Sequence, residues 1–428
     1  MGLTMKEKRS VAAEMAAGYQ RARKKEKGVI LAQFVELTGY VRRYGARLLR
    51  EHGKKSRVGA TTIIGDATKK PVRNRQPVYD SQVVEALRKI WMIMDCICGK
   101  RLKAALDELI PVLKRNMEIQ LDPATEEKLR AISASTIDRL LANDRKKQAL
   151  KGRSGTKPGS LLKHQIKIRT FSEWNEQKPG FVEIDLVGHD GGDASREFCQ
   201  SLDVTDVCTT WTETRAVQNK AQVWVFKALT DIRKSLPFQL LGIDSDNGSE
   251  FINNELYRYC IQEQITFTRA RPTRKNDSCF VEEKNYSVVR RNVGYRRYDT
   301  PQEQEVLNEL YDYLRLYTNY FLPTMKLVSK ERIGSQVKKV YDKPTTPYKR
   351  VLASPDVNNS DKTYIRKIYD TLNPAELKRN ITRLQERLLR IGVMKEQQKS
   401  NKHLGRSRNA HRSSRARLES RRQGPVAK

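Results

Sequence analysis

The sequence lacks long apolar runs. No run approaches the roughly 20 apolar residues that a membrane-spanning helix needs, and the N-terminal residues Lys6, Glu7, Lys8 and Arg9 are charged. These absences argue against a membrane protein and against a secretory signal peptide. We therefore expect a cytoplasmic protein that does not contact a membrane and, in a bacterium, is associated with the nucleoid.

Cysteine and histidine are scarce. The 428 residues include six cysteines and five histidines, and the cysteines are scattered apart from the pair Cys96 and Cys98. A structural zinc site needs four suitably spaced ligands, and no such partners lie near this pair. We therefore interpret the cysteines as reduced thiols in the protein core.

Negative charge is also in short supply. The chain has 83 Lys and Arg residues against 50 Asp and Glu residues, which gives a formal net charge of +33. Such an excess predicts a polyanionic partner that is held through contacts to phosphate groups. A protein that only binds nucleic acid would show the same excess, so an enzyme must be recognised by other residues.

Three acidic residues stand in contexts that predict buried structure. Asp185 lies in the apolar run 181–187, Asp246 follows the run 240–245, and Glu282 lies in a helix-like stretch. Carboxylates from two strand ends and a helix are the oxygen ligands that a pair of Mg²⁺ ions needs for phosphoryl transfer. We therefore predict that these three residues are catalytic and bind two metal ions, with Mn²⁺ as a substitute for Mg²⁺.

Residues 171–296 show the element order of a mixed α/β sheet. The pattern predicts strands at 181–187, 197–206 and 211–217, a helix at 220–236, a strand at 239–245, a helix at 253–264, a strand at 266–270 and a helix at 278–293. This is the order of a ribonuclease-H-like fold, in which the first and fourth strands are neighbours. Asp185 and Asp246 should therefore meet at one edge of the sheet, and the helix with Glu282 should cross beneath them.

Short motifs surround each of the three acids. They are Ile184-Asp185, then Asp246-Asn247-Gly248-Ser249-Glu250-Phe251, and Val281-Glu282 with Asn285. Together with the 35 residues between Asp246 and Glu282, they resemble the catalytic core of retroviral integrases and of the DDE transposases of bacterial insertion elements. The chain lacks the N-terminal His/His/Cys/Cys zinc module of retroviral integrases.

The resemblance implies a function for the whole chain. It implies a DNA transposase, a polynucleotidyl transferase that binds double-stranded DNA at the ends of a mobile element and at the target. Such an enzyme cleaves the 3′ ends and transfers them to the target with the help of metal ions. Because two active sites must act on two ends, we expect a homodimer or homotetramer on DNA.

Several residues near the acids are candidate DNA contacts. Lys220 begins the first helix of the core, and Asn285 shares a helix face with Glu282, so it could bind DNA or a carboxylate. The resemblance implies a loop before the catalytic helix that grips the DNA end, and this loop would carry Arg271, Arg274 and Lys275. Of the other polar residues, we expect Glu183 to pair with a Lys or Arg, and His189 to lie in a loop near DNA.

The remaining segments predict a multidomain protein. Residues 1–55 resemble a helix-turn-helix unit with Arg42, Arg43 and Arg47 facing outward, although an ordinary three-helix bundle would give the same pattern. The predicted divisions are the helix-turn-helix unit 1–55, a basic linker 56–79, a second helical DNA-binding unit or plain helical core 80–144, a linker 145–170, the α/β ribonuclease-H-like integrase core 171–296, a small basic C-terminal accessory domain 297–352, a helical segment with a short coiled-coil seam 353–396, and a basic disordered tail 397–428.

Two other functions fit the sequence. A ribonuclease-H-like nuclease or resolvase would cut DNA without joining it, and it would not need the helix-turn-helix units. A transposase-derived DNA-binding regulator would need neither cutting nor joining, although the presence of all three acids argues against it. The sequence leaves open whether an accessory ATPase takes part.

Overall fold

The computed structural model describes residues 3–54, 56–58, 61–63, 78–147, 167–169, 178–246, 248, 250–270, 279–333 and 336–422. The chain forms two compact units, Met1–Val78 and Tyr79–Lys428. The finer domain boundaries given above remain predictions.

The first unit contains three helices, α1 (Met5–Arg21), α2 (Lys24–Thr38) and α3 (Arg42–Glu51). Phe34, Leu48 and Leu49 are buried between them. Gly45 lets α3 approach α2 closely, because a Cβ atom at this position would stand 3.2 Å from Phe34 Cδ1. The helices therefore form a three-helix unit, and its helix-turn-helix role remains a prediction.

Two short strands follow α3 in a region predicted to be only a linker. Strand β1 (Ser56–Val58) pairs antiparallel with β2 (Thr61–Ile63). Val58, Thr61, Thr62 and Ile63 are β-branched residues, which favour the extended backbone of a strand. A short β-hairpin therefore lies at the start of the segment predicted to be a linker.

The second unit begins with helices that share one hydrophobic core with the C-terminal part of the chain. The helices are α4 (Ser81–Ile93), α5 (Gly99–Arg115), α6 (Pro123–Ala131), α7 (Ala134–Leu140) and α8 (Ala142–Lys147). Asp80 caps α4 through a hydrogen bond from the Val83 amide, as expected for an N-cap aspartate. Leu87 and Trp91 are buried in the same cluster as Leu310 and Leu384.

A mixed sheet forms the centre of this unit. Its strands and helices are β3 (Lys167–Arg169), β4 (Phe181–Gly188), β5 (Gln200–Asp206), β6 (Thr212–Val217), α9 (Gln222–Ser235), β7 (Gly242–Ser245), α10 (Asn254–Gln262), β8 (Thr266–Ala270) and α11 (Cys279–Lys284). The strand order is β3-β8-β7-β4-β5-β6. Strands β4, β5 and β6 are antiparallel neighbours, whereas β4, β7, β8 and β3 run parallel.

This arrangement confirms the predicted order of elements and the pairing of the first and fourth predicted strands. Strand β3 is an additional edge strand, in a segment predicted to be a linker. A π-helical segment, Asn285–Arg290, and the short helix α12 (Arg291–Val293) continue α11. The predicted catalytic helix is therefore present, with a π-helical turn in its second half.

The two faces of the central strands differ in chemistry. Val182 and Ile184 of β4 and Leu202 and Val204 of β5 pack with α9 and α10 in an apolar core. Successive strand residues point to opposite faces, so the intervening residues of β4, including Asp185, face the other side. This alternation places acidic side chains on the face that α11 covers, because α11 packs on β4 and β5.

The C-terminal part adds helices and a second hairpin. Its elements are α13 (Pro301–Phe321), β9 (Leu327–Ile333), β10 (Gln336–Tyr341), α14 (Pro347–Ala353), α15 (Asn359–Thr371) and α16 (Pro374–Arg422). The predicted coiled-coil seam of α16 docks on this unit, since Ile381, Leu384 and Leu388 are buried in the shared core and α16 packs along α13.

The structure differs from the prediction of a disordered tail from residue 397 onward. Helix α16 continues to Arg422. Residues 397–422 contain no proline and a single glycine, Gly405, so no strong helix breaker interrupts the segment. Within the described residues, none of the helices combines the length and apolar character of a membrane span.

Candidate active site

Two of the predicted catalytic acids lie at neighbouring positions on adjacent parallel strands. Asp185 lies in β4, and Asp246 directly follows the last residue of β7. In the register of these strands, Ile184 is opposite Ser245. The next position along each strand therefore brings Asp185 and Asp246 side by side, as predicted from the strand order.

The third acid, Glu282, lies on α11 above the same strand. Asn285, three residues further on, donates a hydrogen bond from Nδ2 to Asp185 Oδ2 at 2.6 Å. Glu183 Oε2 accepts hydrogen bonds from the amides of Phe280 and Val281. Helix α11 is thus attached to β4 on both sides of Glu282.

The negative charges of Asp246 and Glu282 act on Asp185. Burial raises the pKa of Asp185 to about 7, and the negative charges of Asp246 and Glu282 contribute to this rise. Hydrogen bonds from the Leu186 amide and from Asn285 act in the opposite direction. Desolvation likewise raises the pKa of Asp246, which accepts a hydrogen bond from the Gly248 amide at 2.8 Å. The site therefore holds carboxylates whose mutual repulsion a cation would relieve.

The chemistry of the donor set fits a hard divalent cation. Asp185, Asp246 and Glu282 supply carboxylate oxygens, which Mg²⁺ prefers as protein ligands. Glu282 is exposed, so its side chain has room to change rotamer. Among the described residues, however, no three His, Cys, Asp or Glu side chains converge closely enough to hold an ion. Joint ligation would therefore require these side chains to move closer together.

A fourth carboxylate, not predicted from the sequence, lies beside Asp185 on the same face of the sheet. Asp203 of β5 is directly opposite Asp185 in the sheet and is fully buried. Burial raises its pKa to about 8, the charge of Asp185 contributes, and the ammonium of Lys284 opposes the shift. The alternation of polar Ser201, Asp203 and Thr205 with apolar residues was the available signal, since it predicts a polar face on β5.

Lys284 is the basic counterpart of Asp203 on α11. The residue is 3% exposed, and burial lowers the pKa of its ammonium group, while the charges of Glu283 and Asp203 act to raise it. Helix α11 therefore carries two exposed acids, Glu282 and Glu283, directly before one buried base, Lys284.

The structure corrects the expected roles of Glu183 and His189. Glu183 is fully buried and binds backbone amides, whereas the sequence analysis expected a Lys or Arg partner. His189 is also fully buried, and its Nε2 lies 2.7 Å from Ser201 Oγ. Burial lowers the pKa of His189 to about 3. His189 therefore lies just past the end of β4, as expected, but its ring is buried and not exposed to DNA.

The predicted DNA contacts occupy several places. Arg42, Arg43 and Arg47 are exposed on α3, and Lys220 is exposed just before α9. Arg47 Nε also lies 3.0 Å from Glu51 Oε2. Asn285 was expected to bind either DNA or a carboxylate, and in the structure it binds the carboxylate of Asp185. Arg271, Arg274 and Lys275 lie outside the described residues, and the contacts of all these residues with DNA remain predictions.

The site thus lies on a mixed α/β sheet, with α11 packed on β4 and β5. No protein-family model matches the chain. The uncharacterized protein y4rM of Sinorhizobium fredii (strain NBRC 101917 / NGR234) is 37% identical over 333 residues, which cover 78% of this chain and 91% of that protein. The chain therefore belongs to the same family as y4rM.

Two solved structures are similar to part of the chain. The HTLV-2 integrase catalytic core domain in complex with magnesium (dimeric form) shows 12% identity and a TM-score of 0.25, covering 34% of this chain and 90% of that one. The catalytic core domain of BIV integrase shows 14% identity and a TM-score of 0.24, covering 40% of this chain and 91% of that one. At such TM-scores, the fold assignment rests on the strand order and register described above.

Proposed function

We propose that this protein is a DDE transposase. It binds the ends of a mobile DNA element, cleaves their 3′ ends and joins them to target DNA. The observation that carries the proposal is the placement of Asp185 and Asp246 on adjacent parallel strands, beneath a helix that carries Glu282 and is bonded to Asp185 through Asn285. The basic net charge of +33 supports a DNA substrate.

Each acid has a defined task in this proposal. Asp185 and Asp246 would hold Mg²⁺ together, and Glu282 would complete the binding of a second Mg²⁺ ion. When bound, such ions activate the attacking oxygen and stabilise the charge that develops on the phosphate. Asn285 holds the Asp185 carboxylate in one orientation, and Glu183 and Asn285 fix α11 to β4. In the cleavage step, water attacks the phosphodiester at the element end and displaces the 3′ oxygen, which leaves as a 3′ hydroxyl. In the joining step, this 3′ hydroxyl attacks a target phosphodiester and displaces the 3′ oxygen of the target strand.

The remaining parts of the chain supply binding and assembly. Helix α3, with exposed Arg42 and Arg43, docks on the element end as the reading helix of a helix-turn-helix unit. Two copies or more assemble on DNA, because two element ends must be processed together. A bacterial copy would work in the cytoplasm, at the nucleoid.

Strand transfer is the direct test. The purified protein would be incubated with Mg²⁺ or Mn²⁺, a labelled duplex that carries the flanking end sequence, and a supercoiled target plasmid. We expect joined product from the wild type and none from Asp246→Asn, with end binding nearly unchanged. Asp231→Asn is the matched control, since it makes the same change on α9, where Asp231 forms an ion pair with Lys234 three residues away.

The outcomes separate the candidate functions. Joining by the wild type and by Asp231→Asn, but not by Asp246→Asn, supports the transposase. Joining that survives Asp246→Asn would refute the assigned site. Cutting without joining would favour a nuclease or resolvase, and end binding with neither reaction would favour a DNA-binding regulator.

A further inference from the structure

Glu183 is a buried acid that has no part in metal binding or in the chemistry proposed above. We propose that Glu183 is a positioning residue, whose carboxylate anchors the first turn of the Glu282 helix to the strand that carries Asp185. Its catalytic consequence rests on the proposed function, whereas the anchoring itself does not.

The contact geometry carries this proposal. Glu183 Oε2 accepts a hydrogen bond from the Phe280 amide at 2.8 Å and another from the Val281 amide at 2.9 Å. The first amides of a helix have no partner within the helix, so a side chain from elsewhere must satisfy them when they are buried. Here that side chain comes from a strand 98 residues earlier in the sequence.

The hydrogen bonds that attach α11 to β4 lie on either side of Glu282 in the sequence. Glu183 binds the amides just before Glu282, and Asp185 binds Asn285 just after it. Glu183 and Asp185 are two residues apart on β4 and face the same side of the sheet. A single strand face thus sets the position of α11 along β4 and holds Glu282 close enough for its charge to act on Asp185.

A glutamate that is buried for stability alone ordinarily has a basic partner or hydrogen bonds to both of its oxygens. Glu183 is fully buried, its Oε1 accepts no hydrogen bond within the described residues, and the charges of Asp244 and Glu282 lie nearby. Burying a carboxylate under such conditions is unfavourable. Residues that break such local rules are expected at functional sites.

Glu303 offers an informative contrast within the same unit. It is also fully buried, and its Oε2 accepts hydrogen bonds from the Asp299 and Thr300 amides at the start of α13. Unlike Glu183, it forms an ion pair with Lys395 at 2.7 Å. Because α13 carries none of the three acids, Glu303 is a matched control for loss of a buried glutamate cap.

The anchoring can be tested first in the unmodified protein by hydrogen exchange at single-residue resolution. First-turn amides of a helix ordinarily exchange fast, because they lack a partner within the helix. We expect the Phe280 and Val281 amides to exchange as slowly as those in the middle of the helix. Exchange at the rate of an unprotected amide would overturn the proposal, whether or not any variant folds.

Variants then test the consequence for the reaction. In Glu183→Ala, we expect faster exchange of the α11 amides and a loss of joining of about 100-fold at saturating DNA, the scale expected for a displaced catalytic group. Glu183→Gln keeps an acceptor oxygen and should restore most of the joining. Glu303→Ala should lose stability but keep both the slow exchange of α11 and the joining rate per folded molecule.

Each result has a defined meaning. Equal loss of joining in Glu183→Ala and Glu303→Ala, after correction for the folded fraction, would show that Glu183 matters only for stability and would overturn its positioning role. Failure of Glu183→Gln to restore joining would also overturn the positioning role. If the wild type joins no DNA but protects the Phe280 and Val281 amides, the anchoring stands and the proposed function falls.

Discussion

Asn285 is the residue at which the helix and the strand of the candidate site meet most directly. Its Nδ2 donates a hydrogen bond to Asp185 Oδ2 and holds that oxygen in place. The other carboxylate oxygen, Oδ1, accepts a hydrogen bond from the Leu186 amide. Residues that orient a ligand in this way affect activity almost as strongly as the ligand itself. The contact therefore predicts a functional defect when the amide is lost.

We predict that Asn285→Asp lowers joining by about 100-fold, the upper end of the range for residues that orient metal ligands. The new carboxylate would repel Asp185 in place of donating to it. Strand transfer at saturating DNA would measure the loss, and gel-shift titration would check that end binding persists. Asn254→Asp makes the same change on the exposed first turn of α10 and should join normally, and a similar loss there would contradict the prediction.

At the scale of elements, α16 shows how a weak sequence signal acquires a structural role. Its apolar stripe is short, so it would form an unstable coiled coil by itself. In the structure, the stripe packs on α13 and reaches the core that includes α4. Ion pairs from Arg383 and Arg387 to Glu309, and from Lys378 to Asp95, border this contact. The docking therefore joins α16, at the end of the second unit, to α4, at the start of the same unit.

We predict that Leu384→Ala lowers the unfolding free energy of the second unit by about 2–5 kcal/mol, the usual cost of emptying a buried leucine site. Leu384 is fully buried, whereas Leu389 on the same helix is 44% exposed. Urea unfolding would measure both variants. Leu389→Ala should cost far less, and equal costs would mean that the seam does not dock as described.

For the molecule as a whole, the two compact units have separate hydrophobic cores and different charged surfaces. The first unit presents exposed Arg42 and Arg43 on α3, and neither forms an ion pair among the described residues. On α16, by contrast, Arg383 and Arg387 pair with Glu309. The net charge of +33 is therefore not equally available to DNA over the whole surface.

We predict that replacing Arg42 and Arg43 together with alanine weakens end binding and lowers its salt dependence. Each lost phosphate contact should reduce the slope of log Kd against log salt concentration by about 1. The Arg383→Ala and Arg387→Ala double variant removes the same charge from α16 and should leave the slope nearly unchanged. Equal decreases in both double variants would assign DNA binding to overall charge and not to α3.

The sequence by itself determined the order of strands and helices in the core and the positions of Asp185, Asp246 and Glu282 on them. These features follow from local periodicity, because apolar residues repeat differently in strands and in helices. The pairing of β4 with β7 was also accessible, since the order of elements pointed to one sheet topology. The parts that local patterns misjudged are strands β1 to β3 and the length of α16.

Only the tertiary structure decided which partners the buried polar residues have. Glu183 meets the start of α11, Asp203 lies opposite Asp185, and His189 bonds to Ser201 inside the core. A carboxylate or an imidazole can form hydrogen bonds with several kinds of partner equally well. Burial excludes water as a partner, so a protein group must take its place. Which partner remains depends on contacts between residues far apart in the chain, and local sequence patterns do not encode such contacts.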